Sequence, residues 1–365
     1  MKKPFHFLSI KIDLAAAGVC AALLAFFLSG CATGKKTEGP KPTFFPPAPD
    51  EPRVQFLTAF SSDVELGRPS SFADYITGKT TPANRLIKPY GLAVHDGKIY
   101  VCDTMASALE IFDLSKRRSR YFMPRGENRM DTPINVSIDA DGTRYVADTG
   151  RSMVMIYGKD DSFRGVIGGK DEMKPCDVAI TADRLYVADL KNHAVRVYAK
   201  ADRKFLFSIP RDGAAPEAKL FSPTNLAIDK DGRLLVSDTG GFAVQIYDFE
   251  GKHLRSFGQQ GVGPGLFARP KGLAVDRDGL TYVVDATTQV VQVFDPAGKL
   301  LMFFGQPGAS TYGELILPAA VKIDYDSARY FQNLVAPGYQ CEYLILVTSQ
   351  FGSRMVNVYG FVKKK

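Results

Sequence analysis

From Pro89 onward the chain alternates short apolar runs with turn residues, and the pattern has a long period. In one unit Gly272-Leu273-Ala274-Val275-Asp276 reads as a strand, Arg277-Asp278-Gly279 as a turn and Thr281-Tyr282-Val283-Val284-Asp285 as the next strand. Residues 290–295 and 299–304 supply two more. Segments of this length, rich in β-branched and aromatic side chains and joined by Asp-Gly turn chemistry, predict antiparallel meanders. Aligned on an opening proline, the units begin at Pro89, Pro133, Pro175, Pro223, Pro270 and Pro318, with spacings of 44, 42, 48, 47 and 48 residues.

A four-stranded meander cannot bury both of its faces alone. Six packed radially around a channel bury the faces between neighbours and leave only short edges. The expected architecture is therefore all-β, a six-bladed β-propeller of four-stranded antiparallel blades, with repeats 89–132, 133–174, 175–222, 223–269, 270–317 and 318–362. The last unit runs out early: strands are readable at 343–347 and 355–359, and beyond Val362 only lysines remain. An open final blade would expose a strand edge. Residues 53–60, containing Val54-Gln55-Phe56-Leu57-Thr58-Ala59-Phe60, resemble fourth strands such as Leu254-Arg255-Ser256-Phe257. The N-terminal strand is thus expected to close blade six from outside, giving a propeller over 53–362. Residues 61–88 form an insertion in which 72–76 allow a helical turn, and 325–342 insert into the last unit.

Several segments of the frame, Pro270-Lys271-Gly272-Leu273-Ala274-Val275-Asp276, Tyr282-Val283-Val284-Asp285 and Val291-Gln292-Val293-Phe294-Asp295 among them, resemble the NHL repeat. Tyr145-Val146-Ala147-Asp148-Thr149-Gly150 and Val236-Ser237-Asp238-Thr239-Gly240 show the same frame, over about three quarters of the chain. The last unit departs from it, with Ser349 where other units carry Asp.

The N-terminus predicts an address. Lys2, Lys3 and Lys11 precede an apolar run over residues 14–28, too short for a membrane span and suited to a signal peptide over 1–30. Leu28-Ser29-Gly30-Cys31 resembles the lipobox of bacterial lipoproteins, which implies lipidation of Cys31 and an exported, membrane-anchored protein; Ala32 in place of Asp favours the outer membrane by resemblance to enteric sorting. Residues 31–52, with six prolines, read as a tether. The formal charge of +7 falls to about +5 once residues 1–30 are removed, which argues against a nucleic-acid partner. Cys102, Cys176 and Cys341 remain, without Cys-x-x-Cys spacing, and a disulfide is left open.

Candidate chemistry gathers where inner strands begin and second strands end. Asp103, Asp148, Asp189, Asp238 and Asp285 recur once per blade and read as loop caps that accept backbone N–H groups. The third residue of each opening varies: Gly91, Asn135, Asp177, Asn225, Gly272 and Ala320. Asn135, Asp177 and Asn225 carry the oxygen ligands calcium prefers. Six-bladed lactonases of the gluconolactonase and paraoxonase type use similar residues, so a metal-assisted hydrolase or lyase is the alternative reading. His95, His193 and His253 fall on different parts of the blade, which does not suit the zinc site of amidating lyases, and no Gly-x-Ser-x-Gly elbow is present. The loops after the second strands mix aromatic, basic and polar residues on a rigid frame. Arg151, His193, Phe242 and Arg354 are the binding candidates there. The primary expectation is a monomeric, non-catalytic binding or scaffold module, without a cofactor, for an envelope protein, peptide or glycan.

Overall fold

The computed structural model describes residues 42–69 and 84–365. The expected signal peptide over 1–30, the expected lipidation site Cys31 and the helical turn expected at 72–76 lie outside the described residues. Six antiparallel sheets follow one another along the chain. Blade 3 is representative, with Pro175–Ile180 innermost, then Arg184–Asp189, Ala194–Ala199 and Phe205–Ile209. The inner strands of the other blades are Pro89–His95, Pro133–Ile138, Pro223–Ile228, Pro270–Val275 and Pro318–Asp324. Each touches the next, and Pro318–Asp324 touches Pro89–His95, so the ring is closed.

Burial follows from that ring. The core is six hydrophobic clusters, one in each seam between neighbouring blades. Alternate side chains of a strand face opposite neighbours. Thus Leu235 packs with Phe294 in the seam between blades 4 and 5, whereas Leu234 and Val236 pack with Tyr186 in the seam between blades 3 and 4.

Blade six closes as expected and then adds a strand. Val54–Phe60 pairs antiparallel with Val356–Lys364, which continues to Tyr339–Ser349 and Pro318–Asp324. The closing strand is not outermost, however. Thr43–Phe45, in the stretch read as tether, pairs with it in the register Thr43↔Phe56 and Phe45↔Val54. Aromatic contacts hold this fifth strand: Phe45 lies 6.2 Å from Phe304 and 6.3 Å from Tyr359, and Phe44 lies 5.1 Å from Tyr339, ring centre to ring centre. The insertion at 325–342 carries 3-10 turns at Ala328–Tyr330 and Gln332–Leu334 and the first residues of a long strand. Gln55 is tied to it, donating to Leu334 O at 3.0 Å and accepting from Ala336 N at 3.0 Å.

Candidate functional site

At the opening face every inner strand is bulged. Pairing with the second strand slips between Pro133 and Asn135, Pro175 and Asp177, and Pro223 and Asn225. It slips one residue further, to Leu92, Leu273 and Val321, in blades 1, 5 and 6. The blades with Asn or Asp at the third position are the ones in which that residue pairs. The reason for the smaller residues is close approach: a Cβ on Gly91 would stand 1.9 Å from Asn135 Oδ1, and one on Gly272 would stand 2.6 Å from Ala320 Cα.

Beneath each bulge the cap carboxylates are fully buried and heavily engaged. Asp285 accepts from Ala268 N at 2.6 Å, Thr287 N at 3.0 Å and Thr288 N at 3.1 Å, and also from Arg269 N. Asp148 accepts from Asp131, Thr132, Gly150 and Arg151 amides. Asp103 does so from Ile87, Lys88, Met105 and Ala106, Asp189 from Lys174, Lys191 and Asn192, and Asp238 from Phe221 and Ser222. In blade six, among the described residues, Ser349 Oγ accepts only from Ile316 N and the Asn357 amide. Because the two side-chain oxygens serve four amides, Asp285→Asn should cost about 2 kcal/mol. Urea denaturation reads this, and an unchanged midpoint would show the loop to be self-supporting.

Asn135, Asp177 and Asn225 are buried and do not form one open ion site. Asn135 Oδ1 accepts from Val136 N at 3.2 Å in the seam beside Gly91, and its Nδ2 has no partner. Asp177 spends both oxygens on backbone, accepting from Val178 N at 2.8 Å and from Leu226 N of the next blade at 2.9 Å, and the Asn225 amide bonds it as well. Burial lifts the Asp177 carboxyl above the ordinary range, opposed by the Lys322 ammonium and by these hydrogen bonds. A calcium ion needs several free carboxylate or amide oxygens at one point, and the bulges turn these side chains into the seams. Among the described residues no group of three or more His, Cys, Asp or Glu is placed to hold a metal ion.

The loop candidates also make contacts within the protein. Ser107, Ser152, His193, Phe242 and Gln289, each four residues past its cap Asp, have φ between 52° and 59° and close the turn in the left-handed region. The His193 ring bonds Phe221 O, Arg151 Nη1 donates to Arg129 O at 3.0 Å, Arg354 donates to Thr311 O and lies over the Tyr312 ring, and Phe242 packs against the cluster between blades 4 and 5. All four therefore tie loops to neighbouring segments. Lys271 and Tyr90, at the second positions of blades 5 and 1, meet across intervening blade 6, with Nζ donating to the Tyr90 hydroxyl at 2.5 Å. Cys176, at the same position of blade 3, is free and buried, as are Cys102 and Cys341; burial pushes the Cys176 and Cys341 thiols up to about 12.

Access is better from the other end. A cavity of about 300 Å³ is rimmed by Val94, Ile138, Ile180, Ile228, Val275 and Ile323, one from each blade. One position earlier stand Ala93, Ser137, Ala179, Ala227, Ala274 and, in blade six, Lys322. Five small residues open the well and the sixth places an ammonium in it. Lys322 makes no hydrogen bond or ion pair among the described residues, although it feels the charge of Asp177. Attention to the opening face missed this residue. The repeat alignment contains its signal, a single lysine in a column otherwise of alanine and serine.

Ring, inner-strand bulges and central well together define a six-bladed β-propeller whose well is lined by small and aliphatic residues and by Lys322. Neither a protein-family model nor a curated protein matches the chain. Solved structures do. A protein of unknown function from Bacteroides thetaiotaomicron is 15% identical, with 85% of this chain and 76% of that one covered and a TM-score of 0.59. A gluconolactonase from Xanthomonas campestris is 14% identical, covering 84% and 89% at a TM-score of 0.55. Regucalcin, a calcium-binding protein from Agrobacterium tumefaciens, is 12% identical, covering 77% and 92% at 0.53. At these identities the likeness is one of fold.

Proposed function

We propose that the protein is a membrane-anchored binding module of NHL type, lipidated at Cys31, which holds a peptide or protein of the cell envelope without catalysis. The partner inserts an apolar group bearing a carboxylate into the well around Lys322. The observation that carries this reading is the unpaired ammonium in a cavity otherwise walled by small and aliphatic side chains. Lys322 is half-buried, and an incoming carboxylate would pair with its ammonium while its apolar body covers the rim of isoleucine and valine. A concave well with one well-placed charged group is a usual form of binding site.

The alternative, a metal-assisted hydrolase or lyase, draws on the likeness to a gluconolactonase and to calcium-binding regucalcin. Asp177, the one carboxylate of the candidate ion set, already serves two backbone amides, which weighs against it. A photo-cross-linking side chain at Ile228, used in native envelopes, separates the two. The expected adduct persists in chelator and disappears in Lys322→Met, whose melting temperature stays near that of the parent. Cross-linking indifferent to Lys322 would remove the binding reading. One calcium bound per chain, with a lower melting temperature on chelation, would favour the lactonase-type reading instead.

A further inference from the structure

A second cavity of about 300 Å³ lies between blades 1 and 2, away from the channel. Its walls carry Lys98, Lys116, Arg118, Arg120, Arg144 and Lys159 against two carboxylates, Asp96 and Asp113. Lys116 pairs with Asp113 at 3.7 Å and Lys159 with Asp96 at 3.8 Å. Arg120 and Arg144 share Asp161, at 2.9 and 2.8 Å. Lys98 and Arg118 then remain without a hydrogen bond or ion pair among the described residues. Both face Asp113 across the strand register, which already serves Lys116.

The floor of this cavity is built, not only charged. Arg144 is 2% exposed, its guanidinium stacks over the Phe122 ring at 4.5 Å, and its terminal nitrogen donates to Gly158 O. Its Nε is buried and has no hydrogen-bond partner among the described residues. An arginine held flat against an aromatic ring with a donor unspent, ringed by surplus ammonium and guanidinium groups, matches a tetrahedral dianion that accepts several charge-assisted hydrogen bonds. We infer that this cavity between blades 1 and 2 binds a phosphate monoester, with Arg144 beneath it and Lys98 and Arg118 closing on its free oxygens. A soluble phosphate ester and the headgroup of an anionic lipid present the same group.

Calorimetry with glycerol 3-phosphate tests the soluble source. Flotation on phosphatidylcholine vesicles with and without phosphatidic acid tests the headgroup. Both use the full chain, beside Lys98→Glu/Arg118→Glu and a control, Lys230→Glu/Lys252→Glu, on blade 4. Binding of glycerol 3-phosphate alone supports the site with a soluble ligand, and a gain on phosphatidic acid supports it with a headgroup. In either case the affinity falls by about tenfold or more in the blade 1 variant, with an unchanged melting temperature and little change in the control. Binding to neither probe, or binding that both variants retain equally, overturns the inference. The channel lysine is untouched here, so this outcome is independent of the proposed role of Lys322.

Discussion

A chain lacking residues 42–60 is expected to lose its cooperative thermal transition. Val54 and Phe56 are buried in the seam between blades 5 and 6, and Phe60 in the seam between blades 6 and 1, where its ring meets Phe112 at 5.0 Å. Burying each such side chain contributes about 1.5–3 kcal/mol. Three together reach the scale of the whole stability of a typical domain, about 5–15 kcal/mol. The truncation also bares the backbone edge of Val356–Lys364, inviting pairing between chains. Phe60→Ala keeps every backbone hydrogen bond and should still cost about 3–5 kcal/mol. Calorimetry on both variants reads the effect. A truncated chain that melts like the parent would mean the ring does not depend on its closing strand.

The second large effect depends on pH. Glu110, in the third strand of blade 1, is fully buried, and its Oε1 accepts from Ser119 Oγ at 2.7 Å. Burial raises its pKa to about 7, opposed by the Ser119 and Tyr121 hydroxyls and assisted by the charges of Asp103 and Asp63. Between the ordinary value of 4.5 and about 7 the folded chain holds a proton that the unfolded chain has released. Stability from this group is therefore complete below 4.5, falls as pH rises through that window and is lost above about 7. The span corresponds to about 3 kcal/mol. Glu110→Gln keeps the shape and removes the charge, so at pH 8 the variant should melt higher than the parent, and near pH 4 the two should converge. An equal offset at both pH values would show that Glu110 does not ionise in the folded protein.

The blades were legible in the sequence because proline openings, Asp-Gly turns and cap aspartates recur at nearly constant spacing, and each is a local signal. The closing strand was legible by likeness to other fourth strands. The fifth strand was not: Thr43-Phe44-Phe45 lies among prolines, and its pairing rests on contacts to Phe304, Tyr339 and Tyr359, far away in sequence. The contacts of the candidate site residues were less legible. Asn135, Asp177 and Asn225 have the right atoms for an ion, but the inner-strand bulge decides where those atoms point, and no local residue announces it. Arg151, His193, Phe242 and Arg354 were picked out by composition, which does not reveal the contacts they make with neighbouring segments. Lys322 was visible in the aligned columns and becomes meaningful only when the channel shows what surrounds it.

The fifth strand of blade six also has a mechanical consequence. Tension applied through the chain ahead of Pro42 would not reach the closing strand at once. It would first unzip three residue pairs, beginning at Thr43↔Phe56 and ending at Phe45↔Val54. Opening them pays out residues 42–53, about 40 Å of chain at full extension. Only then does the load arrive at Val54↔Phe361 and the ring itself. The short hairpin is thus a fuse in series with the propeller, able to absorb a pull and re-form afterwards.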